Sequence, residues 1–120
     1  MKVKEIGFVA IPVTDVGRAR KFYEGVIGLK PTGEFLDGRW VEYGIGDDTL
    51  AIANVNMDWR PSDQGTSAAL EVEHFDDAIA ELKRANIAFD AEPFETPVCH
   101  MAVVKDPDGN KLIIHQLKPS

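Results

Sequence analysis

The sequence predicts an α+β fold of two β-α-β-β-β modules, with curved mixed sheets enclosing a cavity and helices on the outer face. Three observations predict it. One order of strand and helix patterns runs twice, offset by about 59 residues, so that Val13 and Asp15 fall on Val72 and His74. Each predicted helix is apolar on one side only and needs a sheet to cover. Turn-forming clusters such as Asp37-Gly38 and Asp106-Pro107-Asp108-Gly109 separate the strand patterns.

Residues 6–13 (IGFVAIPV) alternate as a strand, with Ile6, Phe8, Ala10 and Pro12 on one face. Thr14 or Asp15 can cap the next helix. Its stripe is Val16, Ala19, Phe22, Tyr23, Val26 and Ile27, and Gly28 suits a left-handed end. Strands follow at 30–36, 39–45 and 49–55. In the third strand Trp40 and Glu42 share one face and Val41 and Tyr43 the other, and either face can be the core. This first module covers 1–55, and the turn-rich stretch 56–65 (NMDWRPSDQG) reads as a linker.

The second module, 66–117, opens with a strand at 67–73. A helix at 76–86 turns Ala78, Ile79, Leu82 and Ala85 inward. Residues 87–91 read as a short strand, 93–97 as a loop, and 99–105 and 111–117 as strands around the tight turn. The expected whole is a single domain, 1–120.

Composition narrows the function classes. The chain is 44% apolar, enough for a core, and carries a net charge of -7. Duplex nucleic-acid binding needs a basic footprint, and Lys2-Lys4, Arg18-Arg20-Lys21 and Lys83-Arg84 are short and interleaved with acids. No nucleic acid is expected. No run reaches the ~18 to 20 apolar residues of a membrane span, so no membrane is expected. No basic stretch with a long apolar run opens the chain, and Cys99 is the single cysteine. A cytoplasmic location is the expectation. With no phosphate loop, GxGxxG or CxxC, no nucleotide or other cofactor is implied.

Three segments carry a family resemblance: FVAIPVTDVGRARKFYEGVIGL, ALEVEHFDDAIAELKRANIAF and VVKDPDGNKLIIH. Together they resemble the glyoxalase / bleomycin-resistance / extradiol-dioxygenase (vicinal oxygen chelate) superfamily. Metal-dependent members hold a divalent cation with four ligands, a His in the first strand and a Glu or similar in the last strand of each module. The resemblance places Phe8, Ala51, Ser67 and Ile113 at those positions. Three of them cannot coordinate and serine is a poor ligand alone, so no metal is expected.

The pocket is expected to be lined by Phe8, Trp40, Ala51, Ser67, Glu71, His100, Ile113 and His115. Period 2 keeps His115 on the face of Ile113, where an imidazole can act as acid or base, and Glu71 can orient it. Cys99 and His100 are neighbours in a strand and point to opposite faces. A Cys99–His115 pair across strands is conceivable. Three functions compete. The first is metal-independent binding of a small, partly apolar molecule, as the bleomycin-resistance resemblance implies, in a homodimer with clefts between subunits. The second is a metal-free lyase or isomerase on a small carbonyl or hydroxy compound, with His115 and Glu71 catalytic. The third is a regulatory or structural partner protein whose cavity is filled by Phe8, Ile113 and Met101.

Overall fold

The computed structural model describes residues 1–55 and 58–119. Asn56 and Met57, part of the expected linker, lie outside the described residues. The chain divides into two units, Met1–Pro61 and Ser62–Ser120.

In the first unit, β1 (Val9–Pro12) leads to α1 (Val16–Arg20), which runs on as a π-helical stretch, Lys21–Val26. Then come β2 (Pro31–Phe35), β3 (Trp40–Ile45) and β4 (Asp48–Ala53), in one sheet of order β1-β4-β3-β2. β1 runs parallel to β4 and the other pairs are antiparallel. Asp15 is the N-cap, its Oδ1 accepting the Arg18 N–H at 3.0 Å. The wider π turn lets the adjacent rings of Phe22 and Tyr23 both point inward, at 4% and 0% exposure. Gly28 ends the helix at φ 86°.

That helix covers one face of the sheet. Val41, Tyr43 and Ile52 are fully buried there, each worth about 1.5–3 kcal/mol of transfer free energy for an apolar side chain. Tyr23 and Tyr43 stack with ring centres 6.3 Å apart. The Tyr43 hydroxyl donates to Glu24 Oε2 at 2.9 Å, and Arg20 Nε donates to the same oxygen at 2.6 Å. Arg20 also reaches Glu34 on β2. Burial, and then the Glu24 hydrogen bond, push the Tyr43 hydroxyl well above its usual pKa.

β1 is shorter than the expected 6–13. Its register sets Val9 beside Leu50. Extending that register would place residue 6 beside 47, in the Gly46 turn and ahead of β4.

In the second unit, β5 (Ala68–Glu71), α2 (Phe75–Arg84), β6 (Phe89–Glu95), β7 (Cys99–Lys105) and β8 (Lys111–Leu117) form a sheet of order β5-β8-β7-β6 with one helix. β5 is parallel to β8. α2 buries Phe75, Ile79 and Leu82, and it ends at Arg84 rather than Asn86, which takes φ 59°. Its N-terminus is closed by a long-range partner: Gln116 Oε1 accepts the Phe75 N–H at 2.7 Å. β6 runs to Glu95, through the expected loop 93–97. Pro93 is tolerated because β6 is an edge strand with a register shift between Ala91 and Phe94.

The mixed sheets and flanking helices make an α+β fold, but the expectation of curved sheets enclosing a cavity is corrected. Each sheet is open, ending in an edge strand on either side. Four strands per unit leave edges unpaired, whereas closure needs a sheet that returns to its own first strand.

The β7–β8 turn is held by a buried carboxylate. Asp106 Oδ1 accepts the N–H groups of Asp108 and Asn110, each at 2.9 Å, and Oδ2 accepts Asn110 Nδ2 at 2.9 Å. Asn110 Oδ1 in turn accepts the Ser62 N–H at 3.0 Å. Gly109, at φ 89°, closes the turn. Asp106→Ala removes these acceptors from a residue 4% exposed. The variant should lose about 2–4 kcal/mol in urea unfolding, since several buried donors lose a charged partner; a loss within 0.5 kcal/mol, the range of ordinary surface changes, would contradict this account.

Candidate functional site

Each unit gives one sheet face to its helix and leaves the other for chemistry. In the first unit the register joins Trp40 to Ala53 and Phe35, and Glu42 to Ala51 and Gly33. β1 adds Ala10 beside Ala51 and Pro12 beside Ala53. The face away from the helix is therefore a floor of small side chains flanked by aromatic rings. Phe8, just before β1 and 51% exposed, meets Trp40 edge to face with ring centres 5.7 Å apart. Trp40 Nε1 donates to Glu42 Oε2 at 3.0 Å. Ala51 lies in the floor, wholly buried.

In the second unit the open face carries two cross-strand rows. Phe94, Met101, His115 and Glu71 make one; Ala91, Val103, Ile113 and Ala69 make the next. Glu71 Oε1 lies 2.5 Å from His115 Nδ1, and Glu71 Oε2 accepts the Leu117 N–H at 2.7 Å. The His115 hydrogen bond, and then the Leu117 N–H, hold the Glu71 carboxyl below its ordinary pKa. Glu71 is thus ionised near neutrality and only accepts, so Nδ1 carries the proton of that bond. A carboxylate with a depressed pKa stabilises the fold above its unfolded pKa. That contribution fades only as the pH falls through the lower folded value. Because Glu71 is half exposed, solvent screens it and the contribution is small.

Ser67 sits one residue before β5, half-buried. His100 is on the other face of β7 from His115, packed flat on Phe75 with ring centres 5.4 Å apart. It lines an open pocket of about 320 Å³ with His74, Phe75, Asp76, Asp77 and Gln116 at the start of α2. His100 therefore does not join the Glu71–His115 pair, because neighbouring strand residues alternate in direction. Cys99 is buried, with its sulfur 3.2 Å from Thr96 Oγ1 rather than paired with His115. Among the described residues no group of three or more His, Cys, Asp or Glu is placed to hold a metal ion.

Sequence reasoning missed Glu42, Phe35 and Phe94 as site residues. Alternation put Glu42 with Trp40 but left open which face was core. Phe94 fell in an expected loop, and the register shift that sets it beside Met101 has no sequence mark.

The fold is shared with solved structures. An antibiotic-binding protein, TnmS3, from Streptomyces sp. CB03234 is 24% identical at a TM-score of 0.81, over 98% of this chain and 99% of that one. A glyoxalase/bleomycin resistance protein from the same organism is 24% identical at 0.78, over 93% and 100%. A glyoxalase family protein from Bacillus anthracis is 23% identical at 0.77, over 98% and 100%. No curated protein sequence matches the chain. No helix among the described residues is long and apolar enough to cross a membrane. Residues 5–114 match the model of one family, and the chain belongs to the Glyoxalase/Bleomycin resistance protein/Dioxygenase superfamily.

Proposed function

We propose that the protein binds a small, partly apolar molecule without a metal, on the open face of its first sheet. The observation that carries this is the Phe8–Trp40 edge-to-face pair standing over a floor of Ala10, Ala51, Ala53 and Gly33. Rigid rings offer contact area at low entropy cost, and Phe8, 51% exposed, is open to a ligand. Alanine and phenylalanine at two of the family's metal-ligand positions fit a site that recognises shape rather than chelating atoms. The antibiotic-binding relative supports ligand sequestration as the role. On the second sheet, strand alternation assigns Ser67 and Ile113 to the open face, and His100 lies on the helix side.

The protein is further proposed to work in the cytoplasm, as a single domain that forms homodimers. Val3 and Ile6, at 78% and 81% exposure ahead of β1, are apolar side chains that a second copy can cover.

The Glu71–His115 pair favours a second reading, a metal-free lyase or isomerase on a small carbonyl or hydroxy compound. A carboxylate that fixes the imidazole tautomer leaves Nε2 ready to take a proton from carbon or oxygen. His115 and Glu71 would be its catalytic residues.

Native mass spectrometry of the protein purified without added metal should give a dimer carrying a small organic molecule. A stoichiometric divalent metal would contradict the proposal. Trp40→Ala should weaken binding of that molecule about tenfold, the loss of roughly 1.4 kcal/mol expected from one aromatic wall. Unchanged affinity would remove Trp40 from the site. His115→Gln should leave affinity unchanged on the binding reading. Loss of turnover on a carbonyl substrate, with binding retained, would establish the lyase or isomerase reading instead.

A further inference from the structure

Glu42 is a half-buried carboxylate held against the Trp40 ring edge. Glu24 and Glu34 share the Arg20 guanidinium, and Asp58 pairs with Arg60. The other arginines of the first unit are engaged elsewhere: Arg18 donates to Thr14 Oγ1 and Arg39 to the Leu36 carbonyl. Among the described residues no Lys, Arg or His pairs with Glu42. Among the described residues its one side-chain donor is the Trp40 N–H, which engages Oε2 rather than Oε1. The half-buried carboxylate thus lies among Trp40 and Phe35 and close to Phe8, on the face turned away from the helix.

Gly33 keeps that oxygen accessible. A Cβ at residue 33 would lie 3.0 Å from the Phe35 ring and 4.0 Å from Glu42 Oε1. Any larger side chain would project over the space beside the carboxylate. A ligand that fits must lay a flat apolar surface against Trp40 and Phe8 and present a positive charge or a strong donor to Oε1. Aromatic faces attract cations, tryptophan most strongly, and a carboxylate beside them adds a charge-assisted hydrogen bond. A neutral flat ligand would leave the carboxylate short of water with nothing in return.

We propose that the site selects flat aromatic molecules bearing a protonated nitrogen, with Glu42 as the charge-reading residue. This rests on the small-molecule reading above and names the ligand class for that site. Proflavine, a flat cation, and acridone, its uncharged near-isostere, separate the two claims. Binding is followed by titration calorimetry for wild type, Glu42→Gln and Asp47→Asn. Glutamine keeps an oxygen for the Trp40 N–H, and a thermal melt checks that the variant folds. Asp47 is an exposed carboxylate in the β3–β4 turn and controls for attraction to an acidic surface.

The expected result is that wild type prefers proflavine over acridone about tenfold or more. Glu42→Gln should erase that preference by weakening proflavine binding about tenfold, and Asp47→Asn should leave the preference intact. Equal affinity of wild type for the two probes overturns the charge selectivity and leaves the small-molecule reading standing. Equal weakening of both probes by Glu42→Gln also overturns it, reducing Glu42 to a positioning residue for Trp40. Binding of neither probe overturns this inference, and the native mass measurement then decides the small-molecule reading by itself.

Discussion

Once Val41 and Tyr43 are committed to the helix, Trp40 and Glu42 have only the other face of β3 to occupy. Strand period 2 makes that commitment collective, since a slip of one residue would bury a tryptophan and a glutamate under Tyr23 and expose two core side chains. The Arg20–Glu24–Tyr43 cluster holds the choice in place. It ties the π-helical stretch to the strand through a buried hydroxyl that has no better partner. Every feature of the open face, from the alanine floor to the ring pair above it, follows from which side of β3 the helix takes.

The second unit solves the same problem with a different clamp. Gln116 projects to the helix side and satisfies the first free N–H of α2, while its neighbour His115 projects to the open side and meets Glu71. One strand therefore caps the helix and presents the imidazole with consecutive residues. The Asp106–Asn110 turn fixes the β7–β8 register on which both depend.

Much of this was legible in the sequence, and the gaps have physical causes. The repeated element order, the Asp15 cap, the Gly28 helix end and the Asp106–Asn110 turn follow from local chemistry that any reader of side chains can apply. The burial of Phe22 and Tyr23 follows from the stripe, although the π geometry that admits both rings does not. Long-range pairing set the rest. β1 begins three residues later than its alternation suggests, and β6 runs on past Pro93 because edge strands forgive a missing N–H. The curved, enclosing sheets were an extrapolation from element count, and open edges are what the strand order gives. Which face of β3 was core could not be read at all from Trp-Val-Glu-Tyr, because both faces carry one aromatic residue and differ only in their partner.

The open edges themselves bear on how the chain survives at high concentration. β1, β2 and β6 are edge strands, and each contains a proline: Pro12, Pro31 and Pro93. The remaining edge strand, β5, is only four residues long. A strand arriving from another chain finds a missing donor along three of these edges and too short a template on the fourth. Strand addition of the kind that seeds fibrils is thus disfavoured at each edge separately.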